Sequence, residues 1–160
     1  MELTYVQSIP LGARNVSMRG NLEMGSGRHT AGRHDQTYEV SFTLTDSAPI
    51  ELGFSWEGGL AVEPPELLLP LGATSGGLRI LDFFLEDDGW VIVLEGDGGR
   101  THPLTLFGEA VETTDDRARP APGGGGAMVL PVAFSGSGRV QRTLRLKPLA
   151  DTHLPSPQGG

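Results

Sequence analysis

Hydrophobic and polar residues alternate along much of this chain, which is the pattern of β-strands with one buried face. Two neighbouring segments show the alternation most clearly. Their inward positions are Tyr38, Val40, Phe42 and Leu44 in residues 37–45, and Ile50, Leu52, Phe54 and Trp56 in residues 50–57. Turn-forming residues separate the two segments, so they are predicted to form a hairpin. Residues 15–24 show the same alternation and predict a further half-buried strand.

The second half of the chain predicts two more hairpins. Residues 78–86 and 90–96 flank Asp88-Gly89, a dipeptide typical of tight hairpin turns. The second of these strands is apolar on both faces, as expected of a central strand. Glycine-rich residues 135–138 join the strands predicted at 127–134 and 139–147. In residues 101–111, Pro103 predicts a sheet edge or a strand start, because proline cannot donate to the ladder.

Eight or nine strands, 24 glycines and 12 prolines indicate an all-β fold without substantial helix. An antiparallel β-sandwich or jelly roll is expected, with a barrel as the alternative. A chain of 160 residues fits one domain, predicted to span residues 1–147. Irregular segments are expected at 25–36, 62–77 and 112–127. The last of these is predicted to be flexible, as is the Pro/Gly-rich tail at 148–160.

Composition removes several classes of function. The chain has no cysteine, which excludes disulfides, thiolate metal sites and a cysteine nucleophile. Its first residues lack the pattern of a secretory signal, and no apolar run is long enough to span a bilayer as a helix. No membrane association is therefore expected, and the sequence favours a cytoplasmic or virion-associated protein.

Charge is distributed unevenly along the sequence. Residues 35–116 hold 17 acidic and 2 basic side chains, whereas the flanking segments are net basic and the whole chain is net −8. The last predicted strand places one set of polar and basic residues on a single face, namely Arg139, Gln141, Thr143, Arg145 and Lys147. Arg142 is a further cation among the apolar positions. These cations either lie on a solvated face, paired with acids of the same subunit, or contact an acidic neighbour such as another copy.

Motifs of enzymes are incomplete throughout. The stretch around Ser55, GFSWEG, has Glu57 where a nucleophile elbow needs glycine, and its serine lies within a strand. The four glycines at 123–126 lack the Lys-Ser/Thr ending of a phosphate-binding loop. No patterned calcium loop is present, although loop aspartates leave calcium open as an alternative. A non-enzymatic protein without a cofactor is expected.

Residues 27–35, GRHTAGRHD, contain two Gly-Arg-His triplets followed by an aspartate. Zinc would accept His29, His34 and Asp35 as ligands. Histidines five residues apart in a loop do not readily converge, however, and Arg28 and Arg33 would repel a dication. The preferred interpretation is a polar loop that binds no metal and contacts a partner through its arginines.

Two classes of function remain. The first is a structural or accessory subunit that assembles with itself or onto a larger particle, such as a virion or tail decoration protein. Its predicted contact residues are Arg139, Arg142, Arg145, Lys147, Arg28, Arg33 and the leucines Leu67, Leu68 and Leu69. The alternative is a glycan- or ligand-binding module, for which the candidate exposed aromatics are Phe83 or Phe84, and Trp90. Nucleic acid is not expected as a partner, because the chain is acidic overall. The first class is preferred here.

Overall fold

The computed structural model describes residues 1–20, 27–43, 49–63, 71, 77–113, 119–120 and 126–149, and these contain strands but no helix. All sheet pairings are antiparallel, which confirms the predicted all-β class. The strands are β1 (Glu2–Ser8), β2 (Arg14–Gly20), β3 (Gly27–Ala31), β4 (Gln36–Thr43), β5 (Leu52–Glu57), β6 (Leu60–Glu63), β7 (Arg79–Glu86), β8 (Gly89–Asp97), β9 (Thr101–Gly108), β10 (Val111–Glu112), β11 (Arg119–Pro120), β12 (Ala127–Ala133) and β13 (Arg139–Pro148). No helix in these ranges is long and apolar enough to cross a membrane.

Two four-stranded sheets form a sandwich-like unit with one hydrophobic core. Their strand orders are β10-β13-β8-β7 and β11-β12-β9-β6. The core combines side chains from both sheets, including Ile92, Leu94, Leu104, Leu106 and Leu130, all at most 2% exposed. Strand β8 lies between β13 and β7, as its two apolar faces predicted. The finer assignment to a jelly roll is not confirmed by these strand orders.

Of the two hairpins predicted in this unit, one is confirmed and one is wrong. Strands β7 and β8 pair, with Glu86 opposite Gly89, so the turn is Asp87-Asp88, one residue earlier than predicted. Strands β12 and β13 do not pair. The first pairs with β9 and β11 and the second with β8 and β10, so residues 134–138 carry the chain from one sheet to the other. Both strands direct an apolar face into the same core from opposite sides.

The first five strands form a second layer of two small sheets, β1-β4-β3 and β2-β5. The predicted hairpin of β4 and β5 is wrong, because β1 and β3 occupy the two edges of β4 and β5 pairs with β2 instead. The segment 25–36 is not irregular throughout, since residues 27–31 form β3. All five residues of β3 are exposed, so no hydrophobic pattern marks this strand in the sequence.

The inward residues of this layer do not form one core with those of the sandwich. Val40 and Phe42 are buried, but neither belongs to the core cluster that contains Ile92. Phe54 is half-buried and packs against Tyr5 and Tyr38, with ring centroids 6.0 Å and 5.8 Å away. A second, aromatic packing region therefore lies between the sheets β1-β4-β3 and β2-β5.

Candidate functional site

A buried glutamine, Gln36, holds the segment that leads from β1 towards the sandwich; it is the first residue of β4 and is 4% exposed. Its Oε1 accepts a hydrogen bond from the backbone N of Gly12 at 2.9 Å, and its Nε2 donates to the carbonyl of Ala13 at 2.7 Å. The same amide nitrogen lies 2.9 Å from His29 Nε2. An amide nitrogen can only donate, so the second proton of Gln36 Nε2 is available to this ring nitrogen. The Gln36 side chain thus links residues 12–13 to β3 and β4.

Leu11 connects this junction to the sandwich. Its N and O exchange hydrogen bonds with Leu60 of β6, at 2.9 Å and 3.0 Å. The Leu11 carbonyl also accepts from the indole Nε1 of Trp90 at 2.7 Å. Gly12 follows with a φ of 83° beside the same indole, where a Cβ would lie 3.3 Å from Nε1. Trp90, a sequence candidate for an exposed binding aromatic, is therefore a buried structural residue.

A cleft of about 410 Å³ opens at this junction. The residues that line it include the aromatic residues Trp56 and Phe83 and the polar residues Ser8, Asp35 and Thr37. Trp56 was predicted to point into the core, but its side chain lies at the end of β5 and the residue is 39% exposed. The cleft is therefore lined by an exposed tryptophan together with one acidic and two hydroxyl-bearing residues.

The turn that carries Asp35 is held against β7. The Arg33 guanidinium lies over the ring of Phe84, 4.3 Å from its centroid, and the Arg33 carbonyl accepts from the N of Leu85 at 2.9 Å. His34 Nδ1 lies 3.2 Å from Asp82 Oδ1. Within the turn, the N of residue 32 donates to the carbonyl of Asp35 at 2.8 Å. One wall of the cleft is thus positioned by several independent contacts.

The histidines of the GRHTAGRHD stretch have different neighbours. His29 contacts Gln36 and stacks on Tyr38, whereas His34 contacts Asp82 on β7. Among the residues that the structure describes, no three histidine or acidic side chains are grouped as metal ligands. The arrangement therefore gives no support to the zinc site weighed from the sequence. Arg28 lies 3.6 Å from Glu39 of the adjacent strand.

The basic strand β13 has the alternation that the sequence predicts, with its polar and basic face exposed and Leu144 and Leu146 buried. Its cations have acidic neighbours within the chain. Arg139 contacts Glu95 at 2.9 Å and Asp97 at 3.3 Å, and these acids raise the pKa of the guanidinium.

Two further cations of β13 contact the tip of the β7–β8 hairpin. Arg145 pairs with Glu86, and Lys147 Nζ lies 2.9 Å from Asp88 Oδ2. The hydrogen bond and charge of Lys147 lower the pKa of Asp88. Arg142, between the apolar positions, donates to the carbonyl of Ala133 at 2.7 Å. These contacts favour the alternative in which the basic face neutralises acids of its own subunit.

The predicted leucine contact residues, Leu67, Leu68 and Leu69, lie outside the described residues. Comparison of the chain with protein-family models, curated proteins and solved structures gave no match. The fold and the cleft are therefore the observations from which a function can be argued.

Proposed function

We propose that this protein is a non-enzymatic binding module and that the cleft at Trp56 holds a short saccharide. The observation that carries the proposal is the accessible indole of Trp56 within a cleft that also contains Asp35, Thr37 and Ser8. A sugar ring offers an apolar face that can pack on an aromatic ring, and hydroxyl groups that can donate to a carboxylate. Ligand sites commonly combine an apolar lining with a few convergent polar groups.

Binding without catalysis is favoured by the acid groups of the cleft. Hydrolysis of a glycosidic bond normally uses two carboxyl groups about 5–9.5 Å apart across the scissile bond. Among the described residues that line the cleft, Asp35 is the one acidic residue. Asp82 does not line the cleft, and its Oδ1 lies 3.2 Å from Nδ1 of His34. A single accepting carboxylate suits recognition of hydroxyl groups.

We prefer a binding module to an assembly function because the cations of β13, on which the assembly function depends, contact acids of the same chain. Arg139, Arg145 and Lys147 each contact an acid of the same chain. Paired charges on an exposed face attract a second molecule less strongly than unpaired ones. Assembly onto a larger particle stays a prediction that these contacts do not support.

The test is a screen of the purified protein on a glycan array, followed by titration with the best ligand. Trp56 and Trp90 are the two tryptophans of the chain, so intrinsic fluorescence reports the cleft and the buried junction. We expect Trp56→Ala to weaken binding about ten-fold or more, equivalent to about 1.4 kcal/mol. Trp56→Phe should retain part of the affinity because it keeps a ring.

Leu81→Ala is the matched control, since Leu81 is a similarly exposed apolar side chain that does not line the cleft. Its affinity should equal that of the wild type. The proposal is wrong if no glycan binds the wild type, or if Trp56→Ala binds the ligand as well as Leu81→Ala does.

A further inference from the structure

Strand β1 lies at the edge of its sheet with its whole length accessible. It pairs with β4 on one side, and among the described residues no strand pairs with its other side. An edge strand of this kind offers unpaired N–H and C=O groups to another strand. Residues 3–8 contain neither a charged side chain nor a proline, and Tyr5 and Val6 are 42% and 54% exposed.

The sheet edges formed by β3, β6 and β7 carry features that discourage further pairing. Strand β6 has four residues, and β3 has five and presents Arg28 and His29. Strand β7 is interrupted by a bulge between Ile80 and Asp82, and its Leu85 N is already bonded to Arg33. Short length, charge and bulges are the usual protections of a sheet edge. Strand β1 has none of them between residues 3 and 8.

The direction of the β1 backbone groups follows from one hydrogen bond. The N of Ile9 donates to the carbonyl of Gln36 at 2.9 Å, which continues the β1–β4 register by one residue pair. In an antiparallel ladder, alternate residues bond to the same neighbour. Leu3, Tyr5 and Gln7 therefore bond towards β4. The residues that direct their N–H and C=O groups to the open side are Glu2, Thr4, Val6 and Ser8, of which the Ser8 carbonyl also accepts from Gln7 Nε2 at 2.9 Å.

We infer that a second copy of this chain binds here, with β1 pairing antiparallel to β1 of the other copy about a two-fold axis at Tyr5. This register places Thr4 opposite Val6 and Glu2 opposite Ser8, so every outward residue has a partner. The charged residue Glu2 meets an uncharged one, and the two Tyr5 side chains form a cross-strand aromatic pair. The two three-stranded sheets then join into one continuous sheet.

Neighbouring registers are less favourable. A shift that centres the axis on Val6 places Glu2 opposite Pro10, which has no N–H to donate. A shift that centres it on Thr4 leaves Ser8 beyond the end of the other strand. One register thus satisfies all the outward groups, as a specific, isologous interface requires. Ser8 belongs both to this edge and to the lining of the cleft, but the inference rests on the backbone groups of β1 and not on saccharide binding.

The test is the mass of the protein in solution, measured by sedimentation velocity over a wide range of concentration. We expect a concentration-dependent dimer. Val6→Pro removes an N–H that points away from β4, so it should weaken the dimer ten-fold or more while the far-UV circular dichroism stays that of the wild type. Val6→Thr keeps the N–H and the β-branched side chain, and should still dimerise.

Amide hydrogen exchange of the wild type supplies a test that needs no variant. The N–H groups of Thr4 and Val6 should become protected as the protein concentration rises, whereas those of Tyr5 and Gln7 are protected at every concentration. A wild type that stays monomeric, a dimer that leaves Thr4 and Val6 unprotected, or a folded Val6→Pro variant that dimerises like the wild type would overturn the inference.

Discussion

The sandwich-like unit of β6–β13 and the N-terminal layer of β1–β5 are stabilised in different ways. The sandwich buries aliphatic side chains such as Ile92, Leu94 and Leu104 almost completely. In the layer, Tyr5, Tyr38 and Phe54 make edge and stacked contacts while remaining partly exposed. Complete burial of aliphatic groups contributes most to stability, whereas partly exposed aromatic groups remain able to contact another molecule.

The difference assigns separate tasks to the two regions. Trp56, Asp35 and the open edge of β1 all belong to the N-terminal layer or its turns. The sandwich anchors this layer through hydrogen bonds from Trp90 and Leu60 to Leu11. Binding surfaces positioned by a rigid scaffold are common in β proteins, because the groups that bind need not also hold the fold together.

The largest expected effect is a loss of stability that differs between the regions. Ile92→Ala should lower the free energy of unfolding by about 2–5 kcal/mol, since it leaves a cavity in a closed aliphatic core. Phe54→Ala should cost about 1–2 kcal/mol, because the ring is only half-buried and less apolar surface returns to water. Urea unfolding followed by circular dichroism measures both values. Equal losses would show that the two regions are not stabilised differently.

The next effect concerns the junction that joins the two regions. Gln36→Leu should lower the free energy of unfolding by about 2–3 kcal/mol, because the N of Gly12 and the carbonyl of Ala13 lose their buried partner. We also expect the substitution to accelerate hydrogen exchange of the β1 and β4 amides, relative to the wild type, more than that of the β8 amides. Urea unfolding and hydrogen exchange measure the two quantities.

Gln7→Leu is the matched control, since the Gln7 side chain makes exposed hydrogen bonds on β1. It should change stability by less than about 0.5–1 kcal/mol. If both glutamine variants lose the same free energy, Gln36 does not have a special role at the junction.

Local alternation in the sequence predicts which way a side chain points, but not which strands pair. In β13 the alternation of Leu144, Arg145, Leu146 and Lys147 is a property of one segment, and the structure confirms it. The pairing of β12 with β9 depends instead on residues far apart in the chain. Two strands that line opposite sides of one core have the same alternation as a hairpin, so the sequence does not distinguish these arrangements.

The cleft could not be predicted for a related reason. Trp56 shares the register of Phe54, and only the three-dimensional position of the end of β5 shows that its side chain reaches the cleft. No sequence pattern marks the role of Gln36, because its partners are backbone groups of residues 12 and 13 and the ring of His29. The polar stretch at residues 27–35 is visible in the sequence, but the contacts by which it holds the wall of the cleft depend on Asp82 and β7.

The smallest expected effect is a change in the pKa of Asp88 on the exposed face of the sandwich. It distinguishes charge pairing within one subunit from contacts between subunits. Lys147 lowers the pKa of Asp88 through a hydrogen bond and its charge. A carboxyl whose folded pKa lies below its unfolded value stabilises the fold above the unfolded pKa, and this contribution is lost as the pH falls through the folded pKa. Lys147→Gln should therefore raise the pKa of Asp88 towards its ordinary value, as an NMR titration of the carboxyl carbon would measure.

Arg145→Gln is the matched control, because Arg145 pairs with Glu86 and its loss should change the pKa of Asp88 less. A wild-type Asp88 pKa that varies with protein concentration would instead show that the basic face contacts another subunit.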